Sequence, residues 1–251
     1  MKILVTFAVA TEFAAWRRQH DFRQVAHEPF ALYVSEVGGN SVRALLTGMG
    51  TAAATEATRW ALQSPADICI SSGFAGALNA DLSVGTVIAG RVVLRAEREQ
   101  AVASDHQLLA VARDAGARHV DRFLTSEHLI ADAAQKVALA GEADAVEMES
   151  FVILAEAARH GVRAAAIRSV SDAASCSLAY DFDQARDARG QIKMSALLSQ
   201  MIRQPHRLPA LLRFAGDCRF AARELADFLD RYLRLLSARL DLSQSEMVAA
   251  T

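Results

Sequence analysis

Cysteine is scarce in this chain: Cys69, Cys176 and Cys218 are the three present, far apart and odd in number. There is no Cys-x-x-Cys pair, so neither a zinc site nor a disulfide framework is suggested. No metal or redox cofactor is expected. A large excess of either charge is lacking too. The chain carries 27 Lys and Arg against 29 Asp and Glu, a formal net charge of -2. Without a broad positive field, nucleic acid is not expected as a partner. No uninterrupted apolar run reaches the ~20 residues of a membrane span. The opening MKILVTFAVA could pass for a targeting core. It has no longer basic stretch before it and is soon broken by Thr11 and Glu12, so it reads as a first buried strand. The expected location is the cytoplasm. Internal repeats and low-complexity segments are absent as well. What remains is a globular composition, 52% hydrophobic and 22% charged, in 251 residues, a length that one α/β domain can fill.

The first two hundred residues alternate short apolar runs with helical patterns. Ile3 to Ala8 is continuous and β-rich, as expected of a strand covered on both faces. A short helix over Thr11 to Arg18 follows. Ala31 to Val37 and Ser41 to Thr47 form a strand pair around Gly38-Gly39-Asn40. Thr51 can cap a helix to about Leu62. Strands are expected at Asp67 to Ser72, Val84 to Leu94, Val120 to Thr125 and Arg163 to Val170. Helices are expected at Asp105 to Ala115 and from the Val146 motif to about His160. This alternation predicts an α/β fold with a mixed central sheet and helices on both faces, with ligands where strands end and loops begin. From about Ala179 the chain turns helical, with one helix over Gln191 to Arg203 and a junction marked by Pro205 and Pro209. Leu211 to Leu240 reads as a long amphipathic helix, or two, with Leu211, Ala215, Cys218, Ala222, Leu225, Leu229, Tyr232 and Leu236 along one stripe and arginines between them.

Four acids sit at element ends instead of in solvated charge runs. Glu12 follows the first strand, Glu147 and Glu149 flank Met148 in Val-Glu-Met-Glu-Ser, and Asp172 closes Arg-Ser-Val-Ser-Asp. An acid after a strand is more often a helix cap or a solvated loop group. The set means something only if the fold brings the three stretches to one place.

These stretches resemble the nucleoside phosphorylase and nucleosidase superfamily, and in particular its methylthioadenosine/S-adenosylhomocysteine nucleosidases. The resemblance covers roughly residues 1 to 200. It is carried most specifically by Val146-Glu147-Met148-Glu149 and Arg168-Ser169-Val170-Ser171-Asp172, with support from Thr47-Gly48-Met49-Gly50 and Ser72-Gly73-Phe74-Ala75-Gly76-Ala77-Leu78. It implies a three-layer α/β/α domain over 1–203, followed by a helical extension over 204–251 packed on the same domain. It also implies a homodimer that cleaves the N-glycosidic bond of a purine nucleoside. In that family chemistry Asp172 protonates the departing base, oriented by Ser171, and burial would raise its pKa. Glu149 would hold the ribose hydroxyls, with Glu147 beside it and Met148 against the sugar face. Glu12 would deprotonate the attacking water. Arg168 would contact the same end of the site or serve as a structural ion pair. Ala75, Leu129 and Ile130 would line the base pocket. His128, beside them, is left out of the catalytic set, since a loop histidine is usually solvated or capping.

Two departures from the family pattern bear on substrate and nucleophile. Phe74 stands where nucleosidases commonly carry Ser, making that part of the pocket bulkier and less polar. Ala8-Val9-Ala10-Thr11-Glu12-Phe13 lacks the Gly-Asp-Pro-x-Arg loop of the phosphorylase branch, and a carboxylate there repels phosphate. Water is therefore favoured as nucleophile, with a phosphorylase or a catalytically silent nucleoside-binding protein as the alternatives. The chain also runs some forty-eight residues past the helix at which nucleosidases typically end. Arg203-Gln204-Pro205-His206-Arg207-Leu208-Pro209 within this tail resembles hopanoid-associated members thought to remove adenine from adenosylhopane. A thiol-bearing or a lipid-bearing 5′ group is open. So is contact of the basic helix with a membrane surface, although packing on the domain or a second subunit is the favoured reading.

Overall fold

The computed structural model describes residues 1–95, 100–177 and 208–249, with side chains as far as Arg239. The helix expected over Gln191 to Arg203, the helical turn at Ala179 and the boundary near residue 203 lie outside the described residues. In chain order the elements are β1 (Lys2–Phe7), α1 (Ala10–Gln19), β2 (Arg23–Ala26), β3 (Leu32–Val37), β4 (Asn40–Leu46), α2 (Thr51–Ala61), β5 (Ile68–Ser71), β6 (Phe74–Ala77) and β7 (Val87–Arg95). Then come β8 (Gln100–Ala103), α3 (His106–Asp114), β9 (Arg118–Thr125), α4 (Ala133–Leu139), β10 (Ala145–Glu147), α5 (Ser150–Arg159), β11 (Arg163–Asp172) and α6 (Leu208–Ala249).

The strands form one mixed sheet in the order β2-β3-β4-β1-β5-β11-β6-β10-β9-β7-β8. β1, β4, β5 and β11 run parallel through its centre. A further antiparallel pairing of β11 with β7 closes β11, β6, β10, β9 and β7 into a small ring. β1 shows why its sequence is continuously apolar. Ile3, Val5 and Phe7 face one layer, packing with Phe13 and Trp16 of α1, Leu108 of α3 and Leu229 of α6. Leu4 faces the other, with Ala54 and Ala57 of α2 and Ile153 of α5. A period of two sends alternate residues to opposite faces, and both faces are covered. The result is the expected three-layer α/β/α arrangement.

α6 is one helix, begun by Pro209 in its first turn, where a missing N–H costs nothing. Its stripe is buried from Ala221 onward, with Leu225, Leu229, Tyr232 and Leu236 each 0% exposed, while Arg219, Arg223, Arg231 and Arg234 face solvent. The Tyr232 hydroxyl donates to the Leu108 carbonyl at 3.1 Å, and Asn40 Nδ2 donates to the Leu233 carbonyl at 2.9 Å. The apolar face is thus occupied by the domain itself. No stripe is left along residues 221–236 to lie on a membrane. Leu229→Ala is expected to lower unfolding free energy by about 2–5 kcal/mol, read from denaturant titration, because the site has close neighbours on every side.

Several expected bounds shift. Thr51 is the first residue of α2 instead of its cap. Gly50 precedes the helix, and the Thr51 hydroxyl donates to Glu127 Oε2 at 2.6 Å. Ser171 and Asp172 belong to β11 itself. β6 was hidden in Phe-Ala-Gly-Ala, whose glycine reads as loop, and β10 in three residues of the Val-Glu-Met-Glu motif.

Candidate active site

The central strands deliver their carboxyl ends to one place, as open α/β sheets do at ligand sites. β1 leads through Ala8 and Val9 into α1, whose first turn carries Glu12. Its Oε2 accepts from the Ala8 and Val9 amides at 2.7 and 3.1 Å, and its Oε1 accepts from the Phe74 amide at 2.8 Å. Burial raises the Glu12 pKa above the ordinary carboxylate value; Arg168 and the three N–H donors oppose that without cancelling it. Glu12 therefore suits the role of a base that is fixed in place and eager for a proton.

Gly73 makes this approach possible. It has φ +136°, and a Cβ there would stand 2.6 Å from Glu12 Oε1 and 2.7 Å from Arg168 Nη1. Three residues on, a Cβ at Gly76 would stand 3.0 Å from Asp172 Oδ2. The two carboxyl groups therefore sit against different points of the Gly73–Ala77 stretch, Glu12 beside Gly73 and Asp172 beside Gly76.

Between them lies the Val-Glu-Met-Glu stretch, organised from beneath by Arg168, which is 1% exposed. Arg168 Nη2 donates to Glu147 Oε2 at 2.6 Å and to Ser150 Oγ and Ser71 Oγ at 2.9 and 3.1 Å. Nε reaches Ser150 Oγ at 3.2 Å, and Nη1 lies 3.5 Å from Glu149 Oε2. Arg168 is not among the residues that line the cleft; its donors are engaged by protein groups, as in the ion-pair alternative. Glu147 borders the cleft, yet both its oxygens are also taken. Oε2 accepts from Arg168 and from the Glu149 and Ser150 amides at 2.9 and 2.7 Å, and Oε1 accepts from the Thr125 hydroxyl. Through the two amide bonds it holds the start of α5.

Glu149 has more freedom. Its Oε1 accepts from the Gly50 amide at 2.9 Å, at the start of α2, where the helix favours negative charge. Burial lifts its pKa to about 7; Arg168 lowers it, while Glu147 and Glu12 raise it further. A raised acid stabilises the fold most below its unfolded pKa of about 4.3, and that contribution fades as pH rises through the folded value. Between about pH 5 and 8 the melting temperature is expected to fall. The fall should be shallower in Glu149→Gln, as read by thermal scans across that range.

The cleft itself has a cavity volume of about 170 Å³, below the roughly 300–1,000 Å³ of drug-sized ligand sites. Glu12, Phe74, Ala75, Leu129, Ile130, Met148, Glu149, Ser171 and Asp172 all line it, so the three distant stretches do converge. Phe74 contributes its ring to the wall and its backbone amide to Glu12. Met49, His128, Phe214 and Cys218 also line it and were not in the expected set. Phe214 and Cys218 come from α6, whose rotation about its axis only tertiary packing decides.

At the far end, the Ser171 hydroxyl donates to Asp172 Oδ1 at 2.6 Å. The other oxygen, Oδ2, accepts from Lys136 Nζ of α4. Lys136 was missed: it lies in an alanine-rich helical stretch where a lysine reads as solvated, yet it is 0% exposed. Asp172 is thus buried together with an ammonium. Among the described residues, no group of His, Cys, Asp and Glu could hold a metal ion, and no helix is long and apolar enough to cross a membrane.

Among solved structures the chain is similar to the 5'-methylthioadenosine/S-adenosylhomocysteine nucleosidase of Neisseria meningitidis in complex with methylthio-immucillin-A. The two share 21% identity at a TM-score of 0.72, over 93% of this chain and 98% of that one. It is similar as well to the nucleosidase of S. pneumoniae with a transition-state inhibitor (18% identity, TM-score 0.72, 94% of this chain and 100% of that one). A futalosine hydrolase mutant of Helicobacter pylori strain 26695 follows at 16% identity and a TM-score of 0.70, over 93% and 98%. These likenesses establish the fold. No curated protein matches the chain. The family model described as the phosphorylase superfamily matches residues 2–203, and the chain belongs to that superfamily.

Proposed function

We propose that this protein hydrolyses the N-glycosidic bond of a 5′-substituted adenosine, releasing adenine. One observation carries the reading: Glu12, Asp172, Glu149 and Met148 line the same cleft, with Glu12 beside Gly73 and Asp172 beside Gly76. Breaking the bond sends its electron pair into the purine and leaves positive charge on the ribose. Asp172, oriented by Ser171, delivers a proton to N7 of the base. Glu149 accepts from the ribose hydroxyls and faces the developing cation. Glu12 takes a proton from the water that attacks the opposite side of the sugar. Ala75, Leu129 and Ile130 hold the base by apolar contact, and Phe74, Phe214 and Cys218 offer an apolar wall suited to a thioether or hydrocarbon 5′ group. That wall is why methylthioadenosine, S-adenosylhomocysteine and adenosylhopane are the candidate substrates.

Water is favoured over phosphate by what surrounds Glu12. The three amides of Ala8, Val9 and Phe74, which an oxyanion would need, already donate to its carboxylate, and a second anion beside it would be repelled. The deciding experiment incubates the protein with the three nucleosides in phosphate-free buffer, and again with phosphate, and identifies the products by mass spectrometry. Adenine and a free ribosyl product, at a rate indifferent to phosphate, are expected. A phosphate-dependent rate with a ribose 1-phosphate product would make it a phosphorylase, and no base release from any of them would end the enzymatic reading.

A further inference from the structure

The ammonium of Lys136 is wholly buried and has three acceptors: Asp172 Oδ2, the Ala173 carbonyl at 3.1 Å and the Cys176 carbonyl at 3.0 Å. A buried charge is tolerated only where its partners are this complete. Two carbonyls and one short helix would hold a lysine in place without any acid. The third partner, however, is the one carboxyl group at the leaving-group end of the cleft. A carboxylate needed as a proton donor is poorly served by burial beside a permanent cation such as arginine, which would keep it ionised and has no proton to give. A lysine is different, because it can hold the proton and pass it on.

We propose that Lys136 and Asp172 form one proton-holding unit, in which Lys136 is a positioning residue that keeps a transferable proton at the leaving-group end when Asp172 alone would have lost it. The inference rests on the glycosidic cleavage proposed above. As the bond between C1′ and N9 breaks and its pair moves into the purine, the proton on the unit forms the N7–H bond through the Asp172 carboxyl. A proton crosses from Lys136 Nζ to Asp172 Oδ2, leaving a neutral amine beside a carboxylate. The proton that Glu12 removed from water returns to the unit through solvent after the products leave. No other reactant is needed, since one water supplies hydroxide to the sugar and a proton to the base.

The neighbours of the pair leave this assignment clear. Ser171 reaches Asp172 from β11 and gives Oδ1 a hydroxyl donor. β6 presents only backbone, at Gly76. Asp132 at the start of α4 is engaged with the Ala134 amide. Cys176 lies beside Lys136, and α6 brings Arg213, Asp217 and Cys218 toward the same region. Burial pushes the Cys176 thiol up and the Cys218 thiol up to about 12, so neither gains or loses a proton near neutral pH. His128 stands on the cleft wall.

The test follows purine release against pH for Lys136→Met and Lys136→Arg beside the unsubstituted protein. Without the ammonium, a proton is present only where the carboxyl group itself retains one, that is, toward acid. Lys136→Met is expected to lose about 100-fold or more near pH 8. It should regain most of that loss near about pH 5.5, its alkaline limb moved down by at least about one unit. Lys136→Arg, which keeps the charge but cannot give up a proton at these pH values, should lose rate at every pH without regaining it in acid. A lysine that only braces α4 would lower the rate of Lys136→Met evenly, with the limb unmoved. That result, or a Lys136→Met protein inactive at every pH, would overturn the inference. Absence of base release by the unsubstituted protein would overturn the glycosidic reading first, and the inference with it.

Discussion

Glu12→Gln is expected to lower base release by about 100- to 10,000-fold while the protein stays folded. The amide fills the same space, and its oxygen still accepts from the Ala8 and Val9 amides, the donors that fix Glu12 Oε2 in the parent. What the amide cannot do is take a proton from water. Its NH2 group would meet the Phe74 amide, donor against donor, where Glu12 Oε1 now accepts at 2.8 Å. An unsatisfied donor of this kind costs about 1–3 kcal/mol, so a modest drop in melting temperature accompanies the loss. KM should change far less than kcat, because the proposed reaction assigns the ribose to Glu149 and the base to Ala75, Leu129 and Ile130. Steady-state kinetics at saturating nucleoside separates the two. A fall in KM-related affinity with kcat preserved would mean that Glu12 holds substrate and does not activate water.

Arg168→Met is expected to cost about 3–5 kcal/mol of stability, because breaking a buried ion pair from one side leaves charge without compensation. Here the loss is shared by three acids. Glu147 would lose its 2.6 Å partner, Glu149 its cation at 3.5 Å, and Glu12 the guanidinium that counters its burial. With no cation, the acids would be forced to keep more protons, so the variant should lose stability more steeply than the parent as pH rises above about 5. Lys in place of Arg168 should not restore it. The guanidinium uses Nε, Nη1 and Nη2 in three directions at once, and a single ammonium cannot span Ser71, Ser150 and Glu147 together. Denaturant unfolding at two pH values measures both effects.

The chemistry was legible in the sequence where it depends on short stretches with their own shape. β1 announces itself by unbroken hydrophobicity, and Glu12 stands just after it. The Val-Glu-Met-Glu and Arg-Ser-Val-Ser-Asp runs carry their acids at fixed offsets from β10 and within β11. All four of these acids then line one cleft. What stayed hidden depends on contacts between distant residues. Lys136 and Asp172 are thirty-six residues apart, and nothing in Ala-Ala-Gln-Lys-Val marks a buried charge. Arg168 was recognised, but its partners decide whether it meets ligand or protein, and its burial beneath the acids is a property of packing. Phe214 and Cys218 sit on a helix whose apolar stripe was plain, while the edge of the stripe that meets the cleft was not. The glycine at 73 looked like an ordinary loop residue; its place is set by how closely Glu12 and Arg168 crowd its backbone.

Product analysis in water enriched in heavy oxygen tests most directly whether a carboxylate in the first turn of α1 readies water against a sugar whose base departs from the other side. The heavy atom should appear at C1′ of the released sugar, one per adenine freed, and should vanish together with adenine in Glu12→Gln. Adenine freed with an unlabelled phosphorylated sugar, or no adenine from any 5′-substituted adenosine, would contradict the account.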